Sequence, residues 1–155
     1  MRADICIDGV KVGEINEGDR ITRKKQLEYL RQTAEINKDK SYVKVYTKHL
    51  FELSRSLSGT ENQFVNYLLG YIRYESGILA HENGKVLTRQ TMTVETELSI
   101  KTIDRLLKSL IDKQVLGKHK TGHNICFTVN PYIFMRGSRV NTTLIKMFEN
   151  SRWAK

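Results

Sequence analysis

VLTRQTMTVETELSIKTIDRLLKSLIDKQVLGKHKTGHNICFTV, residues 86–129, is the stretch on which the fold turns. Thr88 is placed to cap a short helix that runs to about Thr96 and carries Met92 and Val94. Glu97-Leu98-Ser99 then makes a tight turn, with Leu98 the apolar residue expected between helices. Ser99 is a good N-cap for a second helix from Ile100 to about Lys113. In that helix Ile103, Leu106, Leu107, Leu110 and Ile111 recur at helical spacing and form one buried stripe. The opposite side carries Lys101, Thr102, Arg105, Lys108 and Ser109, all able to contact phosphates or base edges.

Two short helices joined by three residues form a helix-turn-helix unit, whose second helix fits the major groove of double-stranded DNA. After it come Val115-Leu116-Gly117, the basic run Lys118-His119-Lys120, a polar turn over 121–124, and the alternating run Ile125–Val129. A helix followed by a hairpin with a basic tip is a winged helix. Lys118, His119, Lys120 and His123 are thereby placed to reach the sugar-phosphate backbone beside the groove, which positions a protein without reading sequence. Arg89 and Thr91 stand at the start of the first helix, where side chain and helix N-terminus together suit phosphate.

Upstream, DICIDGVKVGEI (4–15) alternates around Asp8-Gly9, a strong hairpin signal because both central turn positions need positive φ. A polar turn over 16–21 leads to a lightly apolar helix over 22–37 with Leu27, Leu30 and Ala34 on one side. Val43 and Val45 suggest a short strand, and Leu50, Phe51 and Leu53 a short helix. Ser58-Gly59-Thr60-Glu61 has capping-box spacing and opens a core helix bearing Phe64, Val65, Leu68, Leu69 and Ile72. Downstream, Asn130-Pro131 halts the last wing strand, and Tyr132, Ile133 and Phe134 are placed to pack back on the core. A last helix spans 141–150. The expected organisation is an α+β chain: a hairpin and helix extension (1–40), a winged helix-turn-helix domain (41–140) and a helical tail (141–155).

The net charge of +9 on 155 residues suits a polyanionic partner. Its placement says more than its size. Residues 1–40 hold nine Lys/Arg against eight Asp/Glu, while residues 41–155 hold seventeen against nine, so the excess lies with the helix-turn-helix. No stretch approaches the ~18 apolar residues of a membrane span. The first ten residues contain no apolar run of the secretory type, so a cytoplasmic location is expected. Cys6 and Cys126, far apart in strand-like runs, read as buried thiols.

Catalytic and metal sites find little support. His119 and His123 flank a glycine turn with no third ligand. His49 and His81 likewise lie far from the His-hydrophobe-His pair that a tyrosine nicking enzyme needs. Tyr42, Tyr46, Tyr67, Tyr71 and Tyr74 suit core or helix-flank positions, no GxxxxGK[ST] phosphate loop occurs, and the carboxylates show no two-metal pairing. The expectation is a non-enzyme without cofactor.

Three runs carry a resemblance: YVKVYTKHLFELSRSLSGTENQFVNYLLGYI (42–72), TVETELSIKTIDRLLKSLIDKQVL (93–116) and FTVNPYIFMRGSR (127–139). They resemble the RepL family of small plasmid and phage replication proteins, in which a YxKVY-type segment, a Leu-rich helix after Ser-Gly, a winged helix-turn-helix and an Asn-Pro…Phe…Gly-Ser signature follow in order. The spacer YESGILAHENGKVLT (74–88) departs from the family's pattern. The resemblance implies replication initiation or copy control, with host replication proteins supplying the chemistry. Arg136 and Arg139, within the closing signature, would add positive charge beside the wing. The same residues suit a winged-helix transcriptional regulator, or a protein-interaction module whose basic face is only solvated. A homodimer is expected because one helix-turn-helix covers a small footprint; its candidate interfaces are helix 22–37 and the C-terminal helix with Leu144, Ile145, Phe148 and Trp153.

Overall fold

The computed structural model describes residues 3–7, 10–15 and 42–155, which fall in two compact units, Met1–Lys40 and Ser41–Lys155. In the first unit, β1 (Ala3–Ile7) pairs antiparallel with β2 (Val10–Ile15). Ile7 stands opposite Val10, so only Asp8-Gly9 connects the strands, as the hairpin signal requires. The turn over 16–21, the helix over 22–37 and the side chain of Cys6 lie outside the described residues.

The second unit is a mixed helix and strand fold. Its helices are α1 (Thr47–Ser56), α2 (Gly59–Leu69), α3 (Arg89–Thr96), α4 (Ile100–Asp112) and α5 (Thr142–Phe148), followed by a 3₁₀ turn at Arg152–Ala154. The short strand β3 (Lys44–Val45) pairs antiparallel with β6 (Phe134–Met135), bringing the segment after the wing back to the start of the unit. Between them, β4 (Leu116–Thr121) and β5 (Asn124–Val129) form the wing ribbon, with Thr121 opposite Asn124 across a Gly122-His123 turn. Gly122 has φ +62°, the conformation such a turn demands.

Each helix of the motif starts on a side-chain cap. Ser58 and Glu61 form the reciprocal capping box of α2, Thr88 accepts from the Thr91 amide at α3, and Ser99 accepts from the Thr102 amide at α4. The apolar faces they present meet in one core. Phe64, Val65 and Leu68 of α2, Met92 of α3, the α4 stripe, and Phe127 and Val129 of β5 are all buried. The stripe stops at Leu110, for Ile111 is only half-buried at its margin.

The spacer over 74–88 finds a structural role here. Leu79 donates its amide to the Phe127 carbonyl at 2.9 Å, and Val129 donates to Gly77 at 2.9 Å, so this segment runs along the free edge of β5. Ile78 bridges Thr128 in antiparallel sense, and Leu79 and Leu87 are fully buried.

The short helix expected around Leu50, Phe51 and Leu53 is present as α1, with His49 and Leu53 on its core face and Leu50 and Phe51 exposed. Two expectations are corrected. Helix α2 ends at Leu69, and Ile72 is buried in a bridge to Leu79 instead of on a helical face. The C-terminal residues offered as a dimer surface are largely inside. Leu144, Phe148 and Trp153 are buried in the same unit, leaving Ile145 of that set partly exposed. Trp153 is held on all sides: its indole N–H donates to the Lys113 carbonyl at 2.9 Å, Arg152 lies over the ring, and His49 meets it edge-on. Gly117 makes this docking possible, since a Cβ there would lie 2.6 Å from Met147 and 2.8 Å from Phe148.

Asn130, in the Asn-Pro step, is fully buried and ties three segments together. Its amide donates to the Gln114 carbonyl at 2.8 Å and to the Ser151 hydroxyl at 3.2 Å, while its oxygen accepts from the Tyr132 amide at 3.0 Å. As expected, Ile133 and Phe134 pack into the core and Cys126 is a buried free thiol.

Among the described residues Glu61 is the buried carboxylate. It accepts from the Lys113 ammonium at 2.7 Å and from the Ser109 hydroxyl, joining the start of α2 to the end of α4. Burial alone would raise its pKa, but Lys113, Ser109 and Ser58 outweigh it and bring the carboxyl down to about 2. A depressed carboxyl contributes stability above its unfolded pKa and loses it as pH falls through the folded one. Urea denaturation should therefore find Glu61→Gln less stable at pH 7 by about 1–3 kcal/mol, because Lys113 stays partly solvated. The gap should narrow between pH 4.5 and about 2; a gap independent of pH contradicts the ion pair. Trp153→Ala should cost about 3–5 kcal/mol in the same assay, and a cost near zero would mean that the C-terminal segment is not docked.

Candidate nucleic-acid interface

Helix α4 turns Ile103, Leu106, Leu107 and Leu110 fully inward, which fixes what faces out. Lys101, Arg105 and Lys108 are exposed along one line of the helix, three or four residues apart. Thr102 is half-buried at the first turn, where its hydroxyl pairs with that of Ser99 at 2.9 Å. Ser99 itself is exposed and spends its oxygen on the cap. Ser109 does not belong to this face: it points sideways to Glu61, because a position eight residues beyond Lys101 has rotated toward α2.

Strand alternation sorts the wing. Lys118 stands opposite Phe127 and Lys120 opposite Ile125, sharing one face of the ribbon; Lys118 lines a hollow of about 580 Å³ with Arg89, Asp104 and Lys108. His119 stands opposite Cys126 on the other face, and its Nδ1 is buried without a hydrogen-bond partner. The expected run of three basic wing residues is thus split, with two on the α4 side and one turned away. His123, at the tip, lines a second hollow of about 590 Å³ with His81, Lys85, Arg89 and Thr91.

Arg89 is not a free cation. Its guanidinium donates to Asp104 of α4 at 2.8 Å. Arg136 turns to the fold as well, donating to the Ile72 carbonyl at 3.2 Å, while Arg139 is exposed beyond it. Both belong to the segment that braces the start of the spacer, where the Glu75 amide donates to the Arg136 carbonyl at 2.8 Å. Lys101, Arg105, Lys108, Lys118 and Lys120 are the cations that the fold brings to one side.

Sequence reasoning did not include two acids that shape this surface. One is Asp104, a carboxylate between cations, standing three residues after Lys101 and four before Lys108. The other is Glu95 of α3, which accepts from the hydroxyls of both Tyr67 and Tyr71. These bonds lower the Glu95 carboxyl. Burial and the Glu95 contact raise the Tyr67 phenol, and the Glu95 bond followed by burial raises Tyr71. Shifts in that direction oppose a phenolate nucleophile and make the tyrosines a brace between α2 and α3. Among the described residues no three His, Cys, Asp or Glu side chains gather as a metal site, and no helix is long and apolar enough to cross a membrane.

Comparison with known proteins gave no match among curated proteins and none among solved structures. The family model for Firmicute plasmid replication protein (RepL), however, matches residues 6–152, nearly the whole chain. Its capped helices, ribbon and buried Asn-Pro knot fall within that match, and the chain belongs to the Firmicute plasmid replication protein (RepL) family.

Proposed function

We propose that the chain is a non-catalytic, sequence-specific binder of double-stranded DNA in the cytoplasm that initiates or sets the copy number of plasmid replication. Residues 41–140 serve as its DNA-binding domain, and host replication proteins supply the chemistry. One observation carries this: Lys101, Arg105 and Lys108 are exposed along α4, opposite its buried stripe, with Lys118 beside them. An α-helix with side chains is about 10–12 Å across and the major groove about 12 Å wide, so α4 fits with this line against base edges. Lys101, Thr102 and Arg105 then read bases from the first turns, while Lys118 and Lys120 meet phosphates of the flanking backbone. His123 and Arg139 lie at the margins and contribute less.

Base readers and phosphate contacts fail differently, which makes the assignment testable by anisotropy titration on duplexes selected from a random pool. Lys101→Ala and Arg105→Ala should each cost about 1–3 kcal/mol on the selected site and little on random duplex. Lys118→Ala and Lys120→Ala should weaken all duplexes alike and reduce the slope of log K against log salt by about 1 each. Unchanged affinity in the Lys101/Arg105 double variant, or a flat salt response, contradicts the proposal. Selected sites that map to a plasmid origin support replication; sites confined to promoters favour a regulator instead.

A further inference from the structure

Asp104 is the unexpected group on the α4 surface. A carboxylate facing a polyphosphate is repelled, and the ion pair with Arg89 does little for the fold, since the two side chains are 51% and 45% exposed. The side chain nonetheless stands beside the outward line, next to Arg105 and one helical turn from Lys101 and Lys108. It also lines the hollow between α4 and the wing with Lys108 and Lys118.

The hydrogen bonding of the carboxylate is uneven. Oδ1 accepts from the Arg89 guanidinium at 2.8 Å; among the described residues Oδ2 accepts none. Arg89 thereby holds one carboxylate oxygen while the other acceptor remains open. In the major groove, an acceptor-only group has one well-matched base. Cytosine presents the N4 amino donor alone, whereas adenine pairs its N6 donor with the N7 acceptor, and guanine and thymine present acceptors.

From this geometry we propose that Asp104 is a specificity-determining residue that accepts from the exocyclic amine of a cytosine, with Arg89 as its positioning residue. The inference rests on the DNA-binding function proposed above. It assigns to α4 a recognition element of opposite charge to its other contacts, one that penalises sites lacking a donor at that step.

The test is selection of bound fragments from random duplex DNA by the full chain and by Asp104→Ala and Asp104→Asn, with thermal unfolding to verify that each variant folds. The wild-type protein should enrich a cytosine at one position by about 5-fold or more. Asp104→Ala should lose preference at that position only. Asp104→Asn should shift it toward adenine, which an amide can meet with donor and acceptor together. A wild-type consensus without such a cytosine, or one reproduced by both variants, overturns this inference and leaves the DNA-binding proposal standing. A wild-type protein that enriches no sequence overturns that proposal and this inference with it.

Discussion

The fold depends on burying one side of α4. Ile103, Leu106, Leu107 and Leu110 are removed from water against α2, α3 and the wing strands, and the geometry of a helix then leaves the other side no choice but solvent. Both ends of the helix are pinned. Ser99 caps the first turn; at the other end Lys113 binds Glu61 through its ammonium and Trp153 through its carbonyl. A rotation of α4 about its axis would expose the stripe and break these contacts together, so the outward line of cations is set by the core rather than by the cations themselves.

Electrostatics then works on a surface whose shape is already decided. Cations that touch acids are withdrawn from it: Lys113 by Glu61 and, in part, Arg89 by Asp104. Lys101, Lys108, Lys118, Lys120 and Arg105 face solvent, where their long side chains keep their charged ends hydrated. Bracing is left to less conspicuous groups. The two tyrosines on Glu95, the Asn130 knot and the spacer along β5 hold the helix-turn-helix and the ribbon to one frame.

Much of this was legible in the sequence because it is encoded locally. Caps at Ser58, Thr88 and Ser99, the period of the α4 stripe and the alternation of the wing all depend on neighbours within one or two turns. What escaped was set by distant partners. Nothing near Ser109 reveals that Glu61 will claim it, since the two are 48 residues apart in the chain. The Arg89–Asp104 and Tyr67–Glu95 pairs share that property. His119 is a different case: alternation alone puts it on the opposite face from Lys118 and Lys120, and counting the run as one basic cluster ignored that period. The C-terminal residues looked free only because the contacts that bury them come from Gly117, His49 and Lys113.

The most direct measurement of the central claim is the change in backbone amide NMR shifts when a selected DNA duplex is added to the full chain. The account predicts the largest shifts over 99–108 and 118–124, with the buried stripe of α4 and the region around Trp153 little changed. Shifts concentrated in α1 or the C-terminal segment, with 99–108 silent, would contradict it.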